Sequence, residues 1–174
     1  GVTALLPAFA RDILHVGASG LGLLRGAPAV GALGAALMFT VVPMRTRVGT
    51  KMLVAVAIYG VAIACFGLSR WLPLSLALLV VLGWADMVSV YVRQSLLQLT
   101  TPNSMRGRVS SISTLSVSAS NELGEAESGL LAAVMGPVPA VVTGGLCAVA
   151  VCLLWNAWFP ELRATDRFPT RSPE

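Results

Sequence analysis

Long apolar runs, divided by short polar or charged stretches, extend along the chain from its first residue to about residue 159. Four of these runs are clear, and they cover residues 22–43, 52–68, 74–99 and 140–159. Each is close to the roughly 20 apolar residues that an α-helix needs to cross a bilayer. We therefore predict four membrane-spanning helices from hydropathy alone.

Two weaker runs complete the pattern. Residues 1–10 provide only about half of a span, so we expect the N-terminal part of this first helix to be missing. Residues 109–135 are interrupted by serine, asparagine and glutamate, but small residues such as Gly124 and Ser128 let helices pack closely in lipid. We predict a further span there, which gives a bundle of six helices over residues 1–160 with the first helix truncated.

Composition supports a membrane protein and argues against a soluble one. The chain is 56% hydrophobic and 11% charged, with a mean hydropathy of +0.80, whereas a soluble domain carries about 25% charged residues. The net charge of +4 does not indicate nucleic-acid binding, because the basic residues lie between the apolar runs and form no continuous face.

The distribution of basic residues predicts the orientation. One set of connections and the C-terminal segment hold Arg45, Arg47, Lys51, Arg106, Arg108, Arg163, Arg167 and Arg171, and the other side holds only Arg11 and Arg70. Short cytoplasmic loops accumulate Lys and Arg, so the first set is expected inside the cell. Residues 161–174 then form a disordered cytoplasmic tail, and we expect a multi-pass protein of the bacterial cytoplasmic membrane.

The loop between the second and third helices carries a recognisable pattern. It reads Met44-Arg45-Thr46-Arg47-Val48-Gly49-Thr50-Lys51. Arg47, Gly49 and Lys51 match the cytoplasmic loop G-x-x-x-D-R-x-G-R/K of the major facilitator superfamily, which this segment resembles. Thr46 stands where that loop has Asp, so the carboxylate that would pair with a neighbouring helix is missing.

A longer resemblance covers the second half of the chain. Its residues are Asp86-Met87-Val88-Ser89-Val90, Arg93-Gln94, Thr101-Pro102, Met105-Arg106-Gly107-Arg108-Val109-Ser110, Ser120-Asn121-Glu122-Leu123-Gly124-Glu125 and Phe159-Pro160-Glu161-Leu162-Arg163. This pattern is similar to the enterobactin-exporter-like branch of the superfamily, which contains siderophore and drug efflux permeases. The resemblance implies an all-α integral membrane protein, the C-terminal half of a twelve-helix transporter, whose partner would be the missing N-terminal half.

Charged side chains within the predicted spans are the candidates for chemistry, because an ionisable group at membrane depth normally faces the bundle interior or a water-filled cavity. Asp86 and Arg93 are seven residues apart, so they share one face of their helix. They lie roughly 10 Å apart along the helix axis, too far for a direct pair. We expect each to find its partner elsewhere.

Glu122 and Glu125 are three residues apart and are predicted to share a face near mid-membrane. Two carboxylates close together in a medium of low dielectric repel each other, so one of them is suited to binding and releasing a proton. The hypothesis is that Glu122 or Glu125 couples transport to protons. Alternatively, both hydrogen-bond to a neighbouring helix or to Arg93 and are structural.

Arg47, Gly49, Lys51, Arg106 and Arg108 are the candidates for a cytoplasmic gate. Arg106 and Arg108 have two further interpretations, since either could cap a helix end or contact anionic lipid. His15 has no neighbours with ligand spacing, so no metal site is predicted. No nucleotide-binding motif occurs in the chain, so no cofactor is expected.

Three classes of function remain to be compared. The first is a proton-coupled antiporter that exports a siderophore or another small amphipathic molecule by alternating access. The second is a membrane interaction protein that has a transporter-like fold and moves nothing, which leaves the carboxylates of the spans without a role. The third is a membrane enzyme, and the serine-rich helix lacks a His or Lys base for it. We favour the first and expect no enzymatic activity.

Overall fold

A computed structural model describes residues 2–41 and 48–158, and this part of the chain is helical and contains no strand. The helices are α1 (Val2–Ala8), α2 (Ala18–Val41), α3 (Val48–Leu68), α4 (Leu72–Thr100), α5 (Arg106–Met135) and α6 (Pro137–Trp158). Their order agrees with the predicted runs. The predicted tail, residues 161–174, lies outside the described residues.

The helices α2 to α6 begin two to four residues before their predicted starts. Polar residues and prolines occur among the added residues, for example Lys51 in α3 and Pro73 in α4. Hydropathy excludes such residues from an apolar run, but the first turn of a helix tolerates them because its N–H groups have no partner within the helix.

Four of these helices, α2, α3, α4 and α6, are long and apolar enough to cross a membrane. The 24 residues of α2 span about 36 Å, which exceeds the hydrocarbon thickness of a bilayer. α5 has 30 residues but is not among these four, because its serine and glutamate side chains lower its hydropathy. Its crossing of the membrane stays a prediction.

The first helix is short and changes geometry after Pro7. Phe9–Ile13 form a π-helical turn, in which Leu14 donates its backbone N–H to the carbonyl of Phe9 at 2.9 Å. Phe9 is fully buried and stacks on Phe66 of α3 with ring centroids 4.9 Å apart. This aromatic pair anchors the π-helical turn that follows α1 to the core.

Two pairs of helices approach closely at glycines. In the α2/α4 pair, a Cβ on Gly31 would collide with the backbone of Val80, and one on Gly83 would collide with the backbone of Pro28. In the α3/α6 pair, a Cβ on Gly145 would lie 2.6 Å from the backbone nitrogen of Ala64. Close backbone contact of this kind replaces the hydrophobic effect, which cannot drive association between helices in lipid.

The contacts place the helices in a ring with the order α2, α4, α3, α6, α5, α1. A larger core cluster includes Phe9, Leu24, Phe66 and Leu79, and a smaller one is built on Ala35, Ala55, Val88 and Val92. α5 differs from the other helices because none of its residues is buried. It packs on α1 and α6, and it is the most loosely held of the long helices.

Candidate functional site: a polar cavity between α4 and α5

A cavity of about 680 Å³ opens between the helices, and five of the six helices contribute to its lining. Its polar side chains are Thr3 of α1, Tyr59 of α3, Asp86 and Arg93 of α4, and Ser116, Ser120, Asn121 and Glu125 of α5. Apolar residues of α2 and α4, such as Ala32 and Val90, complete the wall. The cavity therefore combines charged groups with apolar surface, as sites for amphipathic molecules do.

Asp86 and Arg93 both line this cavity from α4. The helix turns about 100° per residue, so a spacing of seven returns to nearly the same face. On the opposite face of α4, Val88 and Val92 are buried against α2 and α3 and hold α4 in register. The α4 backbone is also fixed by Gly83, which is in close contact with α2. Rigid packing thus presents one carboxylate and one guanidinium to the same space.

The two glutamates of the predicted pair are placed differently. Glu125 lines the cavity with Ser116, Ser120 and Asn121. Glu122 is exposed and is not among the residues that line this cavity. In the described part of the chain, neither glutamate forms an ion pair, and no ion pair joins Glu125 to Arg93. The structure thus brings together Asp86, Arg93 and Glu125, and leaves Glu122 outside.

The gate candidates lie at the ends of α3 and α5. Gly49 and Lys51 are in the first turn of α3, where Gly49 is buried and Lys51 is exposed. Arg106 begins α5 with its Nε atom buried and without a hydrogen-bond partner in the described residues, and Arg108 is exposed. Arg47 lies outside the described residues, as does the segment Phe159–Arg163.

Residues 2–41 and 48–158 contain no group of three or more histidine, cysteine or acidic side chains that could hold a metal ion. The Nδ1 atom of His15 lies 3.1 Å from the carbonyl of Arg11, one turn earlier. The backbone of His15 has a positive φ of 50°. It is part of the turn between α1 and α2.

Sequence reasoning missed Tyr59, whose ring is half-buried and lines the cavity from α3. The signal was available, since Tyr59 carries the one phenolic hydroxyl in the middle of an otherwise apolar span. Tyrosine usually lies at the membrane interface, so a central tyrosine indicates a polar neighbour. Ser116 and Ser120 were noted only as interruptions of hydropathy, although they share the cavity face with Glu125.

Comparison with known proteins agrees with this architecture. A family model described as transmembrane secretion effector, of the major facilitator superfamily, matches residues 1–173. The enterobactin exporter EntS of Citrobacter koseri is 34% identical over 162 residues, which are 93% of this chain and 39% of that protein. The enterobactin exporter EntS of Escherichia coli O1:K1 is 30% identical over 168 residues, or 97% of this chain and 40% of that protein.

The enterobactin exporter EntS of Shigella flexneri shows the same 30% identity over 97% of the chain. The chain thus spans about two fifths of the length of these relatives. No solved structure gives a significant match. The family match covers nearly the whole chain, and the described helices agree with the resemblance seen in the sequence. The chain therefore belongs to the transmembrane secretion effector family of the major facilitator superfamily and has the all-α membrane fold expected of half such a protein.

Proposed function

We propose that this chain is the C-terminal half of a secondary transporter that exports a small amphipathic molecule in exchange for protons. The observation that carries the proposal is the cavity that Asp86, Arg93 and Glu125 line together. A charged side chain at the centre of a membrane helix costs about 2.5–3.5 kcal/mol on insertion scales. Three such groups at one cavity indicate a hydrated space that function requires.

Glu125 is the proposed proton-binding residue. It lies on α5, the helix with no buried residue, so a change in its charge acts on the most loosely held wall of the cavity. When Glu125 is ionised, closing the cavity would remove water from a carboxylate, which is costly. When it is protonated, that cost falls. Protonation would therefore bias the equilibrium between the two access states.

The cargo class follows from the relatives and from the lining. The relatives are named as enterobactin exporters, which favours a siderophore or another small amphipathic cargo. The lining of charged groups beside Ala32 and Val90 suits such a molecule. The N-terminal half would supply the opposite wall of the cavity. The proposed location is the bacterial cytoplasmic membrane, with the C-terminus in the cytoplasm.

The test uses efflux from membrane vesicles that contain the full-length protein under an imposed proton gradient. Glu125→Gln should abolish gradient-driven efflux of labelled siderophore or of a fluorescent drug, with expression unchanged. Glu122→Gln is the matched control, since it makes the same chemical change three residues away on the same helix and outside the cavity. It should retain efflux.

Other outcomes decide between the remaining hypotheses. If Glu125→Gln transports like wild type, the carboxylate is structural and proton coupling through it is wrong. If the wild-type protein moves no cargo of either kind, the alternative of a membrane assembly protein with a transporter-like fold is favoured.

A further inference from the structure

A second cavity, of about 480 Å³, lies on the other side of α5. It is bounded by α1, α3, α5 and α6, and its lining residues on α5 all come from the last twelve residues of that helix. Those on α6 lie between Ala140 and Ala148. The cavity therefore lies near the turn that joins α5 to α6, at the end of the bundle predicted to face outwards.

This cavity is separate from the polar cavity described above. Glu125 lines the first cavity and Glu127 lines the second. Two residues along a helix correspond to a rotation of about 200°, so the two carboxylates leave α5 on nearly opposite sides. Tyr59 is the one residue that lines both cavities, among the lining residues described here.

The lining of the second cavity is mostly apolar, with a single carboxylate. Its walls include Leu5, Ile63, Leu131 and Val141. Thr143 also lines it, but the Thr143 hydroxyl already donates to backbone carbonyls of α6, at 2.7 Å to Pro139 and 3.0 Å to Ala140.

Glu127 has no such partner. Within residues 2–41 and 48–158 it forms no ion pair and no hydrogen bond, and no Lys, Arg or His lines the cavity with it. A carboxylate among apolar side chains at membrane depth favours a cation beside it.

We propose that the second cavity is a binding site for an amphipathic cation. The positive group would pair with Glu127, with Ser128 of the same helix beside it, and the apolar body would pack against Leu131, Ile63 and Val141. An anion would be repelled by Glu127, and a neutral apolar molecule would cover the Glu127 carboxylate and remove water from it without pairing its charge, which is costly. The charge and the apolar walls together select the ligand class.

Two sources could supply this chemistry: a phospholipid with an ammonium headgroup, or a free lipophilic cation. Both carry a positive group together with apolar chains or rings, and in the phospholipid a phosphate lies between the ammonium and the acyl chains. The proposal concerns binding alone, so it does not depend on transport through the first cavity.

The test measures binding of radiolabelled tetraphenylphosphonium to the full-length protein in maltoside detergent, which contains no cation, by equilibrium dialysis. Glu127→Gln should weaken binding by about tenfold or more, because a charge-assisted contact is lost. Glu122→Gln, which changes a glutamate of the same helix that lines neither cavity, should bind like wild type.

A second pair of variants tests the cavity without altering its charge. Leu131→Trp should fill the space and weaken binding, whereas Leu130→Trp, at a position that is 69% exposed and outside the lining, should not. This pair shows whether the probe binds in the second cavity if Glu127→Gln fails to fold. Wild-type binding by both Glu127→Gln and Leu131→Trp would overturn the proposal. So would loss of binding in Glu125→Gln with Glu127→Gln unaffected, since the probe would then occupy the first cavity.

Added phosphatidylethanolamine identifies the source. Competition with the probe in the wild type, but not in Glu127→Gln, supports the site with a lipid as its occupant. Absence of competition, with the Glu127 effect intact, supports the site with a free lipophilic cation as its ligand.

Discussion

The three glutamates of α5 show how strongly single positions matter in this protein. All three are exposed, but Glu125 lines the polar cavity, Glu127 lines the apolar one and Glu122 lines neither. They lie within six residues of one another. Because an α-helix turns by about 100° per residue, their side chains nevertheless leave α5 in different directions. The same residue type on one helix is therefore expected to serve different purposes.

Arg93 gives the residue-scale prediction. It is the one cation that lines the polar cavity in the described part of the chain. Arg93→Gln should raise the KM for efflux of a negatively charged cargo by about fivefold or more, because a charge-assisted hydrogen bond is removed. The KM for an uncharged cargo should change little. The measurement is initial efflux rate against cargo concentration, for both cargoes.

Arg93→Lys is the control for this prediction, since it keeps the charge and should retain much of the affinity for the anionic cargo. An equal rise in KM for both cargoes would contradict the prediction. It would instead indicate that Arg93 supports the shape of the cavity.

At the scale of elements, the bundle consists of two closely packed helix pairs and a loosely held helix. Gly31 and Gly83 join α2 to α4, and Gly60 and Gly145 join α3 to α6. α5 has no comparable contact, and Gly124 and Gly129 of α5 face open space. A rigid α4 and a less restrained α5 on opposite sides of the polar cavity suit a site whose shape changes.

The packing of α2 on α4 predicts a clear contrast between two glycines of one helix. Gly31→Ala should destabilise the protein by about 2 kcal/mol or more, because the new Cβ would meet the Val80 carbonyl and force the helices apart. Gly34→Ala, three residues later and with nothing within 4 Å, should leave stability unchanged or raise it slightly. The measurement is the thermal midpoint of aggregation in detergent. Equal midpoints would argue against the close contact.

The helices themselves were largely predictable from the sequence, but the sequence did not show which helix packs against which. Hydropathy located α2, α3, α4 and α6 because membrane spans need long apolar runs. Three glycines of α2 differ in their surroundings: Gly31 is in close contact with α4, whereas Gly26 and Gly34 face open space. Hydropathy cannot distinguish these positions, because the choice depends on where α4 lies.

The candidate site was predictable in the same limited way. The rarity of charge in the spans singled out Asp86, Arg93 and Glu125, all of which line the polar cavity. The pairing of Glu122 with Glu125 rested on helical spacing alone. A spacing of three places two residues near each other on a helix, but it does not show which of them faces the bundle. Glu122 was therefore grouped with Glu125, although it does not line the polar cavity.

For the whole molecule, α5 decides the topology. Among the described helices of 18 residues or more, it is the one that does not meet the hydropathy expected of a span, although its 30 residues are long enough. If it crosses, the turn around Ser104 and the start of α6 at Pro137–Pro139 lie on opposite sides of the membrane. If it lies along the surface, they lie on the same side and the orientation of α6 is reversed.

Cysteine labelling in intact cells tests this topology. The three free cysteines, Cys65, Cys147 and Cys152, are first replaced by alanine. Single cysteines then replace the exposed residues Arg70, Ser104 and Pro139, each in its own variant. With a membrane-impermeant maleimide, Arg70→Cys and Pro139→Cys should react in intact cells, and Ser104→Cys should react only after lysis.

Each position answers a separate question in this experiment. Arg70, between α3 and α4, reports on the orientation that the basic residues predict, because its side carries few positive charges. Ser104 and Pro139 report on α5 alone, since only that helix separates them. Labelling of Ser104→Cys in intact cells would show an inverted protein. Failure of Pro139→Cys to react while Arg70→Cys reacts would show that α5 does not cross, and the polar cavity could not then be lined by two spanning helices.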